Sequence, residues 1–248
     1  MNIDLRQGDC LELMKSIPDS SIDMVLCDLP YGSTQCKWDN IIPFESLWKE
    51  YNRVLKKNGA AVLFGTEPFS SYLRLSNIKN YKYDWIWDKV KGTGYLNAKK
   101  QPMRNYEIIS VFYKYQCTYN PQMTTGHPRK VSFRRKELQT ECYGKTNKDY
   151  YYDSTERYPR NIQVFSIDTQ NTSLHPTQKP VALLEYLIKT YTNEGEVVLD
   201  NCMGSGSTGV ACVNTNRNFI GMELENNYFE IAKERIEKAN EEAQENKG

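Results

Sequence analysis

Two short stretches carry side chains whose types and spacing could do chemistry. The first is Asp28-Leu29-Pro30-Tyr31, which closes the apolar run Met24-Val25-Leu26-Cys27. A carboxylate, a rigid backbone and an aromatic face in four residues suit a site that grips something flat and polar. The second is Gly204-Ser205-Gly206-Ser207-Thr208-Gly209, a G-x-G-x-x-G loop with Asp200 just before it and Glu223 downstream. Such a loop lets backbone approach a nucleotide-like ligand, and an acid about 20 residues on can take ribose hydroxyls. A carboxylate at Asp200 suits an ammonium group better than a pyrophosphate.

Both stretches need strands to hold them. "IDMVLCD" (22–28), "AAVLFG" (60–65), "YDWIW" (83–87), "IISVFY" (108–113), "EVVLD" (196–200) and "NFIGMEL" (218–224) read as buried strands, and a further strand precedes "GDC" (8–10). Apolar residues at helical spacing predict a helix over 44–57 that stops at Asn58-Gly59, and another over 180–192 with Pro180 at its start. A third follows the glycine loop. The last opens at Asn227 with Glu230 three residues on, a capping-box spacing. Strands alternating with helices, and strands apolar throughout, predict an α/β fold with a doubly wound, mostly parallel sheet. Asp28 and Gly204 both fall at carboxyl ends of predicted strands, where ligands of such sheets bind. Only 44 residues follow Gly204. They hold two helices and one strand, so earlier strands must complete the sheet.

Residues 114–173 differ. They are rich in Tyr, Lys, Arg, Thr and Asn and poor in aliphatics, as in a functional insertion. Over 95–160 there are thirteen Lys/Arg against six Asp/Glu, a local +7 inside a chain whose net charge is +1. "HPRKVSFRRKEL" (127–138) is the densest part, a pattern that suits phosphates. With 39% hydrophobic residues a packed core is feasible, and no apolar run nears the ~20 residues of a membrane span. The opening "MNIDLRQGDC" lacks the apolar segment of a signal peptide. Seven scattered cysteines without a C-x-x-C pattern suggest reduced thiols in a cytoplasmic protein, and no zinc or other metal site.

Taken together, "DLPY" (28–31), "HPTQKP" (175–180), "LDNCMGSGSTG" (199–209) and "GMELENNYFEIAKERI" (221–236) resemble, in that order, the motifs of the beta class of S-adenosylmethionine-dependent DNA amino-methyltransferases. The segments around "DLPY" and "WDKVKGTGYLNAKKQPMRNYEIISVFYK" (87–114) also resemble phage and bacterial members, so the likeness spans nearly the whole chain. Leu29 stands where the family usually has Pro, and Asn201-Cys202 where it has Pro-Phe. The resemblance implies a seven-stranded Rossmann-like methyltransferase fold with the catalytic half at 1–113, a target-recognition insertion at 114–173 and the cofactor half at 174–248.

It also implies roles. The lone pair of an exocyclic base amine is delocalised into the ring, and acceptors aimed at its hydrogens localise it toward a methyl donor. Asp28 would be one acceptor and the Leu29 carbonyl the other, with Pro30 restricting Leu29 to extended backbone and Tyr31 stacking on a flipped base. S-adenosylmethionine would be held by Asp200 at the methionine ammonium, Glu223 at the ribose and Lys179 at the methionine carboxylate. Asp9, Cys10, Asp28, Thr177, Cys202, Gly204, Ser205 and Gly206 would line the rest. His175 reads as structural rather than as a base. Double-stranded DNA is the implied partner and a membrane is not; a homodimer and a restriction endonuclease partner are compatible with the reading. Adenine N6 is the leading target, since position 28 is Asp rather than Ser, and cytosine N4 the nearest alternative. An RNA or protein amide methyltransferase fits less well, because its motif would usually begin with Asn. A NAD-dependent oxidoreductase would explain the glycine loop and neither "DLPY" nor "HPTQKP". A non-catalytic DNA-binding module would transfer no methyl group.

Overall fold

The computed structural model of the protein describes residues 1–32, 40–134, 149–167 and 178–245. Its centre is β2 (Ile22–Cys27), every residue of which is buried. Successive side chains of a strand face opposite sides. Met24 and Leu26 accordingly enter one core and Val25 and Cys27 the other, which Ile22 also joins across the register shift that separates it from Met24. A strand that packs on both faces is apolar along most of its length, and this one is apolar except for Asp23, a buried carboxylate paired with Lys56.

On one side of β2 lie β9 (Val197–Asp200), β10 (Asn218–Glu223) and β1 (Ile3–Gln7); on the other, β3 (Leu55–Gly65), β5 (Arg104–Phe112), β4 (Tyr81–Thr93) and β8 (Ile162–Val164). The sheet order is β1-β10-β9-β2-β3-β5-β4-β8. All neighbours pair in parallel except β3 with β5 and β5 with β4, so β5 is the one reversed strand. The short β8 adds an eighth strand that no apolar pattern announces. Helices α1 (Cys10–Met14), α2 (Phe44–Val54) and α3 (Phe69–Ser76) cover one face through Met14, Leu47, Tyr51, Val54 and Leu73. On the other face α4 (Val181–Tyr191), α5 (Ser207–Asn214) and α6 (Asn226–Glu245) contribute Leu183, Leu187, Cys212 and Ile236.

Several boundaries differ from the sequence pattern. Helix α2 ends at Val54, and Asn58-Gly59 lie within the irregular start of β3, where the register slips between the Ile22–Leu55 and Met24–Ala60 pairs. Lys56 in that irregularity reaches Asp23, at 2.7 Å. Helix α6 begins at Asn226, so Asn227 is inside it rather than at its cap. Strand β4 runs on to Thr93 past a second irregularity after Asp88.

Contacts divide the chain into two compact units, Met1–Asn120 with Asn161–Gly248, and Pro121–Arg160. The second holds an antiparallel pair, β6 (Lys130–Arg134) and β7 (Tyr150–Ser154), with an Arg129–Asp153 ion pair at 2.6 Å beside it. Residues 114–120 and 161–167 of the basic, aromatic segment belong to the first unit, where the Asn120 amide donates to the Thr190 carbonyl at 2.8 Å. Among the described residues no helix is long and apolar enough to cross a membrane.

The glycine loop is packed as tightly as the core. Gly206 starts α5 with φ at 81°, a left-handed conformation, and a Cβ there would lie 3.0 Å from the Cα of Ala232 on α6. We expect Gly206→Ala to destabilise the protein by about 1–3 kcal/mol, since neither backbone can yield. Equilibrium urea denaturation measures it, and an unchanged midpoint would contradict the packing.

Candidate active site

Strands β2 and β9 are direct neighbours, with Val25 opposite Leu199. Their carboxyl ends therefore release Asp28 and Asp200 at the same edge of the sheet. This is also where the chain order reverses, β9 leading outward to β10 and β2 leading outward to β3. An open α/β sheet offers its crevice at such a point.

The side chain of Leu29 is buried among α1–α3, and Asp28, Pro30 and Tyr31 remain partly accessible. The Tyr31 ring rests on Phe69 with centroids 4.9 Å apart, and Phe69 in turn meets Phe44 at 5.8 Å. The Tyr31 hydroxyl donates to Asp28 Oδ1, and Lys179 Nζ donates to Asp28 Oδ2 at 2.5 Å. Lys179 also lies 3.3 Å from Glu107 Oε2, and Glu107 Oε1 pairs with Lys89. Charges thus alternate along Lys89, Glu107, Lys179 and Asp28. Glu107 and Lys89 are held by the sheet. Glu107 stands on β5 one residue beyond Ile108, which pairs with the last residue of β3. Lys89 follows Asp88 at the irregularity in β4, where Val90 takes a positive φ of 67°.

Burial pushes the Asp28 carboxyl above its ordinary pKa, with the Lys179 charge opposing and Glu107 reinforcing the rise. Burial would also raise Glu107, but Lys179 and Lys89 outweigh it and its pKa is lowered. Lys179 would be lowered by burial, and the two carboxylates raise it instead. Lys179 is therefore held as the ammonium, and its charge opposes the rise that burial imposes on Asp28.

At the cofactor end, Asp200 is buried, with Oδ2 accepting from the Thr208 hydroxyl at 2.6 Å and Oδ1 from the Cys202 amide at 3.1 Å. Burial raises its pKa to about 6 against those bonds. Glu223, at the end of β10, accepts from the Gly204 amide at 2.9 Å and the Glu225 amide at 2.9 Å, and burial raises it too. Ser205 is fixed by Arg235 of α6. Asp9 is exposed and caps α1, accepting from the Leu11 and Glu12 amides at 2.8 and 3.3 Å. The thiols of Cys10 and Cys27 both lie near Cys202. The Cys202 contact is the largest influence raising Cys10, while burial is the largest raising Cys27, which reaches about 12. All three thiols are neutral at ordinary pH. Side chains of the two residues after Asn201 part ways: Cys202 packs toward α1–α3 and Met203 beneath α4–α6. His175 and Thr177 lie outside the described residues.

Around Asp28 and Asp200 the fold thus gathers Tyr31, Lys179, Cys10, Cys202 and the 204–206 loop, with Glu223 at the next strand end. Sequence reasoning missed Glu107, Lys89, Thr208 and Phe69. Glu107 did leave a signal, an acid leading directly into the apolar run of β5. Among the described residues no group of His, Cys, Asp and Glu is placed to hold a metal ion.

A family model described as DNA methylase, covering the N6 and N4 types, matches residues 22–234. The chain belongs to this DNA methylase family. Type II methyltransferase M.HpaI of Haemophilus parainfluenzae is 29% identical over 93% of this chain and 73% of its own length. DNA adenine methyltransferase YhdJ of Escherichia coli K12 is 28% identical over 94% of this chain and 82% of its own. Among solved structures, the M1.HpyAVI–SAM complex matches with a TM-score of 0.64 at 25% identity, over 94% of this chain and 99% of that one. The cytosine-N4-specific PvuII methyltransferase, at 17% identity and a TM-score of 0.66 over 98% and 93% of the two chains, shares the fold. As a DNA methylase the protein uses S-adenosylmethionine, and the oxidoreductase alternative falls away. The donor set fits that cofactor: two buried carboxylates at adjoining strand ends, beside a glycine turn with no space for a side chain.

Because Asp200 is raised in the fold, its neutral form stabilises the protein below pH ~4, and this contribution is lost as the pH rises through about 6. The Asp200→Asn variant cannot ionise. Its stability relative to the wild type should therefore rise by up to about 3 kcal/mol between pH 4 and 7.5. Urea titrations of both proteins at the two pH values check this; a pH-independent difference would contradict it.

Proposed function

We propose that the protein methylates adenine N6 at a specific sequence in double-stranded DNA, flipping the target base out of the helix. The observation that carries the reading is the placement of a lysine-held Asp28 and a buried Asp200 at carboxyl ends of adjacent parallel strands. Adenine is favoured over cytosine N4 by Asp at position 28, and YhdJ is named an adenine methyltransferase.

When bound, S-adenosylmethionine supplies an electrophilic methyl group. Asp200 balances its ammonium and Glu223 holds its ribose hydroxyls. Asp28 accepts a hydrogen of the target amine, and each of its oxygens keeps a second lone pair while bonded to Tyr31 or Lys179. The Leu29 carbonyl accepts the other hydrogen, a role indifferent to the change from Pro, since the Leu29 side chain serves the core. Tyr31, braced by Phe69, presents its remaining face to the base. The Lys179 charge favours the ionised form of Asp28, and Glu107 keeps Lys179 in place. Asp28 can then take the proton that the methylated amine sheds. Alignment of amine and methyl donor is the main contribution, worth up to about 7–11 kcal/mol in favourable cases.

The unit 121–160 reads the target on this proposal. Lys130 and Arg134 bracket β6, and Val131, Phe133, Tyr150 and Tyr151 are exposed along the pair of strands. Arg135 and Lys136 lie outside the described residues. The type II names of relatives suggest a cognate restriction endonuclease, and the cytoplasm is where such a pair would act. A homodimer is tested by sedimentation.

Asp28→Ala should abolish transfer of radiolabelled methyl to DNA while cofactor affinity stays within about threefold by calorimetry; transfer at the wild-type rate would sink the assignment. DNA affinity should fall steeply with salt. Lys130→Gln with Arg134→Gln should flatten the log–log slope by about 2, measured by fluorescence anisotropy. An unchanged slope would remove this hairpin from the DNA-facing surface.

A further inference from the structure

Beyond the pairing of Ile108 with Gly65, the last residue of β3, β5 pairs with β4 alone, and past Asp88, the last residue of β4 that pairs with β8, the two continue as a two-stranded hairpin. It rises from the same edge of the sheet as Asp28, and Glu107, at its base, faces the lysine that holds Asp28. From Glu107 to Arg104 the strand climbs about 10 Å at ~3.3 Å per residue, comparable to the ~8 Å depth of a DNA groove.

The tip is ordered by its own bonds. Gly94 turns the chain at φ 90°, and the amides of Asn97 and Lys100 donate to the Gly94 and Asn97 carbonyls at 2.9 and 2.8 Å. Thr93 Oγ1 donates to the Arg104 carbonyl at 3.0 Å, and Gly92 lets Met103 lie against the backbone. This turn displays Tyr95, 80% exposed, and Leu96, 96% exposed. No packing within the described chain accounts for two large apolar side chains at such a point. Around them stand Lys91, Lys99, Lys100 and Arg104, and no acid occurs between Asp88 and Glu107.

We propose that Tyr95 and Leu96 form a wedge that enters the target duplex where the flipped base has left the stack, with Lys91, Lys99, Lys100 and Arg104 on the flanking phosphates. The inference rests on the reading of the protein as a base-flipping DNA methyltransferase. An apolar side chain that occupies a vacated step replaces lost stacking, and cations beside it hold the backbone that the distortion brings near. Charge complementarity commits the surface to duplex DNA rather than to another copy of this chain. Lys89, already paired with Glu107, anchors the hairpin to the site below.

The test uses the full-length protein, S-adenosylmethionine and two duplexes carrying the sequence that methylation mapping returns. One is fully paired; the other has an abasic position opposite the target, so that flipping breaks no pair. Tyr95→Ala with Leu96→Ala should lower kcat/KM by about tenfold or more on the paired duplex and by less than about twofold on the abasic one. Equal losses on both duplexes, or none on either, would overturn the wedge. So would a wild-type dimer that the double variant dissociates in sedimentation with no difference between duplexes, which marks the tip as a contact between copies. A wild type that methylates neither duplex brings down the methyltransferase reading itself and the wedge with it.

Discussion

The buried ion pair between Asp28 and Lys179 is the interaction on which the rest of the site depends. It joins residues 151 positions apart and ties the end of β2 to the segment leading into α4. Removing two charges from water costs more than their attraction usually returns, so such a pair adds little to stability. Its effect is on charge state and aim. An Asp28 that burial had driven to the neutral acid would offer a donor where an acceptor is wanted, and the ammonium beside it opposes this. Glu107 extends the same logic by one step. A lysine between two carboxylates stays charged despite burial, and the acid behind it is kept charged by Lys89. Three residues, from β4, β5 and the segment leading into α4, thus fix one carboxylate at the end of β2.

That ladder can exist only because the sheet is doubly wound and buried on both faces. Alternation along β2 sends Met24 and Leu26 to the α4–α6 core and Val25 and Cys27 to the α1–α3 core, which leaves the strand no freedom to slip. Register with β9 then sets where Asp28 and Asp200 emerge. The same alternation explains Leu29, whose side chain continues into the α1–α3 core. A position within a chemical motif is, on its side-chain side, a packing position.

The strands that build this frame were legible because a strand buried on both faces is apolar along most of its length. The carboxylates were legible because each ends such a run. What the sequence pattern missed has a common physical cause. Partners of a buried charge are chosen by three-dimensional proximity across strands: Glu107 meets Lys179 from β5, and Lys89 meets Glu107 from an irregularity in β4 that no periodicity encodes. Lys179 was singled out, and expected at the methionine carboxylate; its placement on Asp28 depends on that hidden pair. The early end of α2 is similar. Asn58-Gly59 is a turn signal, but the slip in β3 that brings Lys56 to Asp23 uses it inside a strand rather than at a helix end.

Cations are divided unevenly between the two ends of the site, and the division suits the two ligands of the proposed reaction. Lys89 and Lys179 gather on the Asp28 side, where a neutral base amine is to be received and a built-in counter-charge favours the ionised acceptor. Around Asp200 and Glu223 the partners are instead a hydroxyl and backbone amides. Those dipoles stabilise a carboxylate less than a full positive charge would, and burial accordingly raises both groups. A ligand that carries its own ammonium and sulfonium supplies the missing charge, so binding it and ionising Asp200 are linked events. A lysine in the same place would have kept the carboxylate ionised at all times and repelled the cofactor. The strained proton affinity of Asp200 is therefore the electrostatic counterpart of its place at the strand end: a carboxylate left unbalanced by the chain, to be balanced by a cation that arrives.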